Sequence, residues 1–167
     1  MRTIYLITTG GTIEKMYSEQ SGAVLNSASK IGRYLERLRL PGCDVRVISL
    51  MNKDSLEMTA DDRAVLVREM MRLLPDRNPI VITHGTDTMV ETGLYIQKSF
   101  PDLHIPVILT GAMTPLGFEG SDGLQNLTES LLAARLLPPG VFVVIHGQVF
   151  PADKVRKDRE QATFVWN

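Results

Sequence analysis

Two short segments of the chain combine glycine with side-chain hydroxyls: Thr8-Thr9-Gly10-Gly11-Thr12 and Thr83-His84-Gly85-Thr86-Asp87-Thr88. Glycine lets the backbone adopt positive φ and lets a ligand approach it closely. The hydroxyls supply a nucleophile or hydrogen-bond donors, and Asp87 supplies a carboxylate beside them. Such groups suit hydrolysis by covalent catalysis, which needs a nucleophile, an adjacent base and a group that orients the base. A threonine hydroxyl is too weakly acidic to attack an amide unaided, and a lysine can take its proton only where its surroundings lower the lysine pKa. Gly10-Gly11 is neither a dinucleotide fingerprint, since the third glycine is missing, nor a phosphate loop, since no Gly-Lys-Ser/Thr follows. Taken alone it is a tight turn. His84 has no Cys, His or carboxylate spaced around it for zinc, so a structural histidine is expected and no metal or other cofactor. In isolation Asp87 reads as a helix cap, Asp122 as another, Tyr17 as an exposed loop tyrosine and Lys157 as a solvated member of a charged run.

The elements that must hold these groups follow from the hydrophobic pattern. Ile4 to Ile7, Val45 to Leu50, Pro79 to Ile82, Pro106 to Leu109 and Val141 to Ile145 are short, nearly continuous apolar runs, as in strands covered on both faces. Between them Ser29 to Leu40, Thr59 to Leu74, Thr88 to Phe100 and Asp122 to Leu137 have helical period. Thr59 is a candidate N-cap with Asp61 and Asp62 behind it, and Val65, Met70 and Leu73 are expected on the apolar side. Alternation of this kind predicts an α/β fold, a doubly wound parallel sheet of five strands with helices on both faces. Five strands suit the flavodoxin-like order 2-1-3-4-5, in which ligands bind outside the carboxyl ends of strands 1 and 3. Both glycine–hydroxyl segments fall there. The stretch from Asp153 to Glu160, with seven of its eight residues charged, is expected outside the core.

The 167 residues suit a single domain spanning 1–167. Lys plus Arg (18) nearly cancels Asp plus Glu (19), so no basic excess points to nucleic acid or an anionic membrane. No apolar run reaches the roughly 18 residues of a membrane span. The single Cys43 cannot form an internal disulfide, which fits a cytoplasmic protein.

Thr9-Gly10-Gly11-Thr12-Ile13 and Val81 to Met89 resemble the two signature motifs of the bacterial-type L-asparaginases. Asp54-Ser55-Leu56-Glu57-Met58, Thr110 to Pro115 and Ser121 to Asn126 are also similar to that family, so the likeness covers nearly the whole chain. Members are commonly about twice this long and carry a second α/β domain, so the chain resembles their amino-terminal catalytic half. The resemblance implies hydrolysis of asparagine to aspartate and ammonia, with glutamine as a poorer substrate. It implies Thr12 as nucleophile, Tyr17 as its assistant, and Thr86 with Asp87 and Lys157 as a proton relay. It implies Ser55 and Asp87 as holders of the amino-acid head group, and backbone amides near Gly11, Thr86 and Ala112 as substrate and oxyanion contacts. Lys154 is the fallback for Lys157. Tyr17 follows Thr12 by only five residues, a shorter loop than in many members. The acidic residue that a second domain lends to a neighbouring subunit has no counterpart here. Two other readings stay open: the asparaginase-like subunit of a tRNA-dependent amidotransferase, and a silent amino-acid-binding module. A homo-oligomer, with a dimer favoured, is expected, with Phe164-Val165-Trp166 as a candidate contact patch.

Overall fold

The computed structural model describes residues 2–26 and 31–167. In chain order the elements are β1 (Arg2–Gly10), β2 (Lys15–Ser18), β3 (Ala23–Asn26), α1 (Ile31–Leu35), β4 (Cys43–Lys53), α2 (Ala60–Leu73), β5 (Ile80–Thr83), α3 (Met89–Ser99), β6 (Pro106–Thr110), α4 (Gly123–Leu136), β7 (Gly140–Ile145), β8 (Gln148–Pro151), β9 (Val155–Asp158) and β10 (Thr163–Trp166). The main sheet runs β4-β1-β5-β6-β7-β8. Its first five strands are parallel, and β8 is antiparallel to β7.

The strand period of two divides the apolar residues between two cores. Tyr5, Ile7, Ile80, Ile82, Val107, Leu109, Val143 and Ile145 face one side and pack on Leu66 and Met70 of α2 and on Met89 and Ile96 of α3. Ile4, Leu6, Val81, Ile108 and Val144 face the other, against Ile31 of α1 and Leu127 and Leu131 of α4. The expected helix-covered α/β sheet is therefore present.

Four details differ from the sequence expectation. The sheet has a sixth strand, because His146 (φ 52°) and Gly147 (φ 74°) turn β7 straight back into β8. Positive φ at both central residues is what a two-residue hairpin requires. The first helix is shorter than expected, and residues 29 and 30 of that stretch lie outside the described residues. After Leu35 the chain tightens into turns in which Arg37 N bonds to Tyr34 O and Leu38 N to Leu35 O, although Leu35 and Leu38 still pack on the core. On α2, Val65 is exposed, and the buried stripe is Arg63, Leu66 and Met70. The charged stretch from Asp153 to Glu160 is not wholly outside the core: β9 and β10 form a hairpin that buries Val155 and Phe164.

The start of α2 is tied to the end of β4. Thr59 and Asp62 form a reciprocal capping box, and Lys53 Nζ lies 2.8 and 2.9 Å from the two carboxylate oxygens of Asp62. The Lys53 ammonium, helped by the Thr59 amide, holds the Asp62 carboxyl at about 2.

Candidate active site

The parallel strands end on one rim, and glycines let their loops touch. Gly11 has φ 84° and ψ −178°, a conformation that a side chain rarely tolerates. A Cβ on Gly11 would lie 2.4 Å from Gly85 N, so the loops after β1 and β5 are in backbone contact. A Cβ on Gly85 would lie 2.6 Å from Ser55 Oγ, which brings in the loop after β4. One on Gly111 would lie 2.4 Å from His84 O and 3.3 Å from Thr86 Cγ2, which adds the loop after β6. Gly11, Thr12, Ser55, Thr86, Asp87 and Ala112 thus come from four loops that converge at one place.

Local chemistry fixes each loop. Thr12 is half-buried and opens a 3-10 turn through Glu14, whose Oε2 accepts from Gly10 N at 2.8 Å. Asp54 accepts from Leu56 N at 3.1 Å and from Lys15 Nζ at 2.8 Å, which holds Ser55, buried, at the rim. The Lys15 ammonium beside Asp54 holds that carboxyl below the usual carboxylate range. Among the described residues no side-chain hydrogen bond engages Thr12 Oγ1 or Ser55 Oγ; Thr12 is half-buried and Ser55 is buried.

Lys157, carried by β9, reaches across to the loop after β5. Its Nζ donates to Thr86 Oγ1 at 2.7 Å and to Asp87 Oδ1 at 2.9 Å. A second cation, Arg159 Nη2, lies 2.8 Å from the same Asp87 oxygen. Asp87 is therefore an ion-pair partner and not the helix cap that it resembles in isolation. Thr88 occupies the N-cap position of α3, and its hydroxyl donates to Ser55 O at 2.8 Å. Lys157 is partly buried, against the reading as a solvated lysine, whereas Lys154 is exposed in the turn before β9. Tyr17 lies on β2 of the β2–β3 hairpin, 56% exposed, and no hydrogen bond joins it to Thr12 among the described residues. Those residues include no group of three or more His, Cys, Asp or Glu arranged to hold a metal ion.

Two buried networks support this rim, and neither is visible as a sequence motif. His84 donates from Nδ1 to Gly85 O at 2.7 Å, and its Nε2 accepts from Thr92 Oγ1 at 2.8 Å. Thr92 Oγ1 in turn accepts from Arg63 Nε at 3.0 Å, while Arg63 Nη1 donates to Met58 O. This assignment satisfies both ring nitrogens in the neutral state. Burial pushes His84 down to about 4, as expected of a structural histidine. The second network starts at Asp122, which sits at the start of α4 but makes no side-chain cap. Its carboxylate accepts from Met113 N and Thr114 N at 3.0 Å, from Asn126 Nδ2 at 2.9 Å and from His146 Nε2 at 2.7 Å. Burial pushes Asp122 up, but the hydrogen bonds from Met113, Thr114 and His146 outweigh it and leave the carboxyl below its ordinary value. Asn126 Nδ2 also donates to Gly111 O at 2.9 Å, so Ala112 is held on both sides. His146 Nδ1 accepts from Thr163 Oγ1 at 2.7 Å, which links the Ala112 loop to the hairpin that carries Lys157.

The family model for the amino-terminal domain of asparaginases matches residues 3–164. The L-asparaginase of Thermococcus kodakarensis is 30% identical over 154 residues, 92% of this chain and 47% of that protein. A glutamyl-tRNA(Gln) amidotransferase subunit of Aeropyrum pernix is 34% identical over 154 residues, 87% of this chain and 35% of that one. Among solved structures, the thermostable Thermococcus kodakarensis L-asparaginase superposes with a TM-score of 0.87 at 29% identity, covering 98% of this chain and 51% of the other. L-asparaginase I of Vibrio cholerae gives 0.83 at 27%, covering 99% and 51%. The chain spans about half the length of the L-asparaginases it matches. A match over almost every described element, with both glycine–hydroxyl loops at the rim, makes this chain a member of the asparaginase family.

Proposed function

We propose that this chain hydrolyses L-asparagine to L-aspartate and ammonia through a threonine acyl-enzyme. The observation that carries the reading is the set of contacts by which Lys157 joins Thr86 and Asp87, on a loop that touches the one bearing Thr12. Thr12 Oγ1 attacks the side-chain amide carbon, and its proton passes to the leaving nitrogen. The C–N bond breaks and ammonia departs. Water then attacks the ester carbon, the bond to Thr12 Oγ1 breaks, and Thr12 regains a proton. Thr86 orients that water, and Lys157, donor to both Thr86 and Asp87, relays the proton. Backbone amides near Gly11, Thr86 and Ala112 stabilise the oxyanion, while Ser55 and Asp87 hold the amino-acid head group. Tyr17 closes over Thr12 once substrate is bound. One methylene separates asparagine from glutamine, worth about 1–3 kcal/mol in a pocket, so glutamine is a slower substrate.

Residues 1–167 act in this reading as one catalytic domain, supported by a single sheet with a core on each face. The working species is a homodimer in the cytoplasm. The single Cys43 supports the compartment, and exposed Leu132, Leu136, Val149 and Trp166 support association. Phe164, by contrast, is buried in its own domain, and Trp166 packs edge-on against Phe150 with centroids 5.0 Å apart. Light scattering over a dilution series tests the dimer, and a fully active monomer refutes it.

The purified chain is expected to release ammonia from asparagine, and Thr12→Ala and Thr86→Ala are each expected to remove most turnover with the fold intact. Near-normal rates in either variant refute the role of that threonine. A native chain that releases no ammonia refutes the hydrolase reading. It would favour the amidotransferase-subunit reading, for which the Aeropyrum pernix relative is the observation.

A further inference from the structure

Asp87 Oδ1 carries two cations. Lys157 Nζ is 2.9 Å away and Arg159 Nη2 is 2.8 Å away. One carboxylate oxygen thus faces two positive charges. The two cations differ in setting. The side chain of Lys157 is 17% exposed and also bonded to Thr86, whereas that of Arg159 is 68% exposed. Arg159 opens the turn that joins β9 to β10, two residues after Lys157, so it stands at the solvent edge of the same rim. An ion pair so exposed is weak, and its guanidinium can leave Asp87 for another anion.

We infer that Arg159 is a specificity-determining residue of this site, a movable guanidinium that takes the α-carboxylate of the bound amino acid. The inference rests on the reading of Asp87 as the partner of the α-ammonium. In an α-amino acid the nitrogen and the carboxylate share one carbon, so they lie about 3 Å apart. An ammonium on Asp87 therefore brings the carboxylate within a short swing of a guanidinium already bonded to Asp87. When Arg159 turns to that carboxylate it removes one of the two cations on Asp87 and leaves that charge to the ammonium, so one movement serves both ends of the head group. A guanidinium matches a carboxylate with two parallel N–H donors, a geometry that lysine lacks. Ser55 supplies a neutral hydroxyl to the same head group, and Arg159 adds the charge. A ligand with a carboxylate is thereby favoured over an otherwise identical amide without one.

The test is calorimetric binding to the Thr12→Ala chain, which holds ligand without turning it over. Three probes share the amide: L-asparagine, succinamic acid, which lacks the ammonium, and 3-aminopropanamide, which lacks the carboxylate. Adding Arg159→Ala is expected to raise Kd at least tenfold for asparagine and succinamic acid and not to raise it for 3-aminopropanamide, whose ammonium competes with Arg159 for Asp87. Arg159→Lys is expected to recover only part of the loss. Unchanged Kd for asparagine, or equal weakening of all three probes, overturns the inference, as does failure of asparagine to bind at all. Arg159-dependent binding by the Thr12→Ala chain, alongside a native chain that releases no ammonia, supports the role of Arg159 and refutes the hydrolase reading alone.

Discussion

Gly85→Ala is the sharpest single test of how the site is assembled. Its φ is not in the left-handed region, so alanine brings no backbone strain there, only a methyl group. That methyl would lie 2.6 Å from both Cβ and Oγ of Ser55 and 3.0 Å from Ser55 N, against the 3.4–4 Å of an ordinary contact. The loop after β4 must therefore retreat by about 0.8 Å or more. Overpacking of this kind costs about 1–3 kcal/mol. For a chain of this length that is roughly 2–12 °C in Tm. A misplacement near 1 Å in a substrate-positioning group costs about 10²-fold. The assay is kcat/KM for asparagine with Tm by calorimetry, on Gly85→Ala and on the double variant Gly85→Ala, Ser55→Gly. Ser55→Gly removes the obstructing Cβ and Oγ, so it is expected to restore most of the Tm while KM stays high, because the hydroxyl that holds the head group is gone. A Gly85→Ala chain with native kcat/KM, or a double variant no more stable than the single, refutes the claim that these two loops meet at this glycine to shape the site.

Lys157→Arg keeps the charge but cannot accept a proton at working pH, so it and Lys157→Met are both expected to lower kcat by about 10²-fold or more; Lys154→Arg is expected to change little, and steady-state rates decide. His84 is held neutral at about 4, while an unfolded histidine titrates near 6.5. Its contribution is present above pH 6.5 and is lost as pH falls toward 4, a loss on the order of 3 kcal/mol that His84→Gln abolishes in urea midpoints measured against pH. Asp62, held at about 2 by Lys53, adds a further loss below pH 4 that Asp62→Asn removes from the same curves. Asp122→Asn turns one acceptor of the Met113–Thr114–His146 cluster into a donor; roughly 1.5–3 kcal/mol of stability and most of kcat are expected to go, checked by Tm and ammonia release.

The edge strand β4 is only partly buried, whereas strands β1, β5, β6 and β7 were legible because they are buried on both faces and so read as nearly continuous apolar runs. Strand β8 was not, since its signal is a tight turn in which His146, not Asn or Asp, takes the left-handed conformation before Gly147. The β9–β10 hairpin was hidden by its charge: Val155 and Phe164 point inward while Arg156 points out, a period of two masked by lysines and acids. The face of α2 was misjudged at Val65 because a buried Arg63, bonded to Thr92 and Met58, takes a place on the stripe where an apolar residue was expected. At the site, the two glycine–hydroxyl loops could be placed from fold rules alone. The partners of Asp87 could not, since Lys157 is 70 residues away and a local rule sees only the helix start. The same distance hides the Asp122–His146 pair, which is 24 residues apart with no period to announce it.

The β9–β10 hairpin is a two-stranded sheet of its own, separate from the main one. No strand pairing joins it to the main sheet, so its attachment depends on side chains: buried Val155 and Phe164, Trp166 against Phe150, the His146–Thr163 bond and the contacts of Lys157 and Arg159 with the loop after β5. Such a unit opens locally at a lower free energy than the central sheet, and amide exchange along 155–166 would be faster than along β1 or β5. Lys157 leaves Thr86 each time it opens. Inactivation by mild denaturant or warming would then precede loss of the main core, so the temperature at which turnover fails reports the docking of one hairpin and not the melting of the domain.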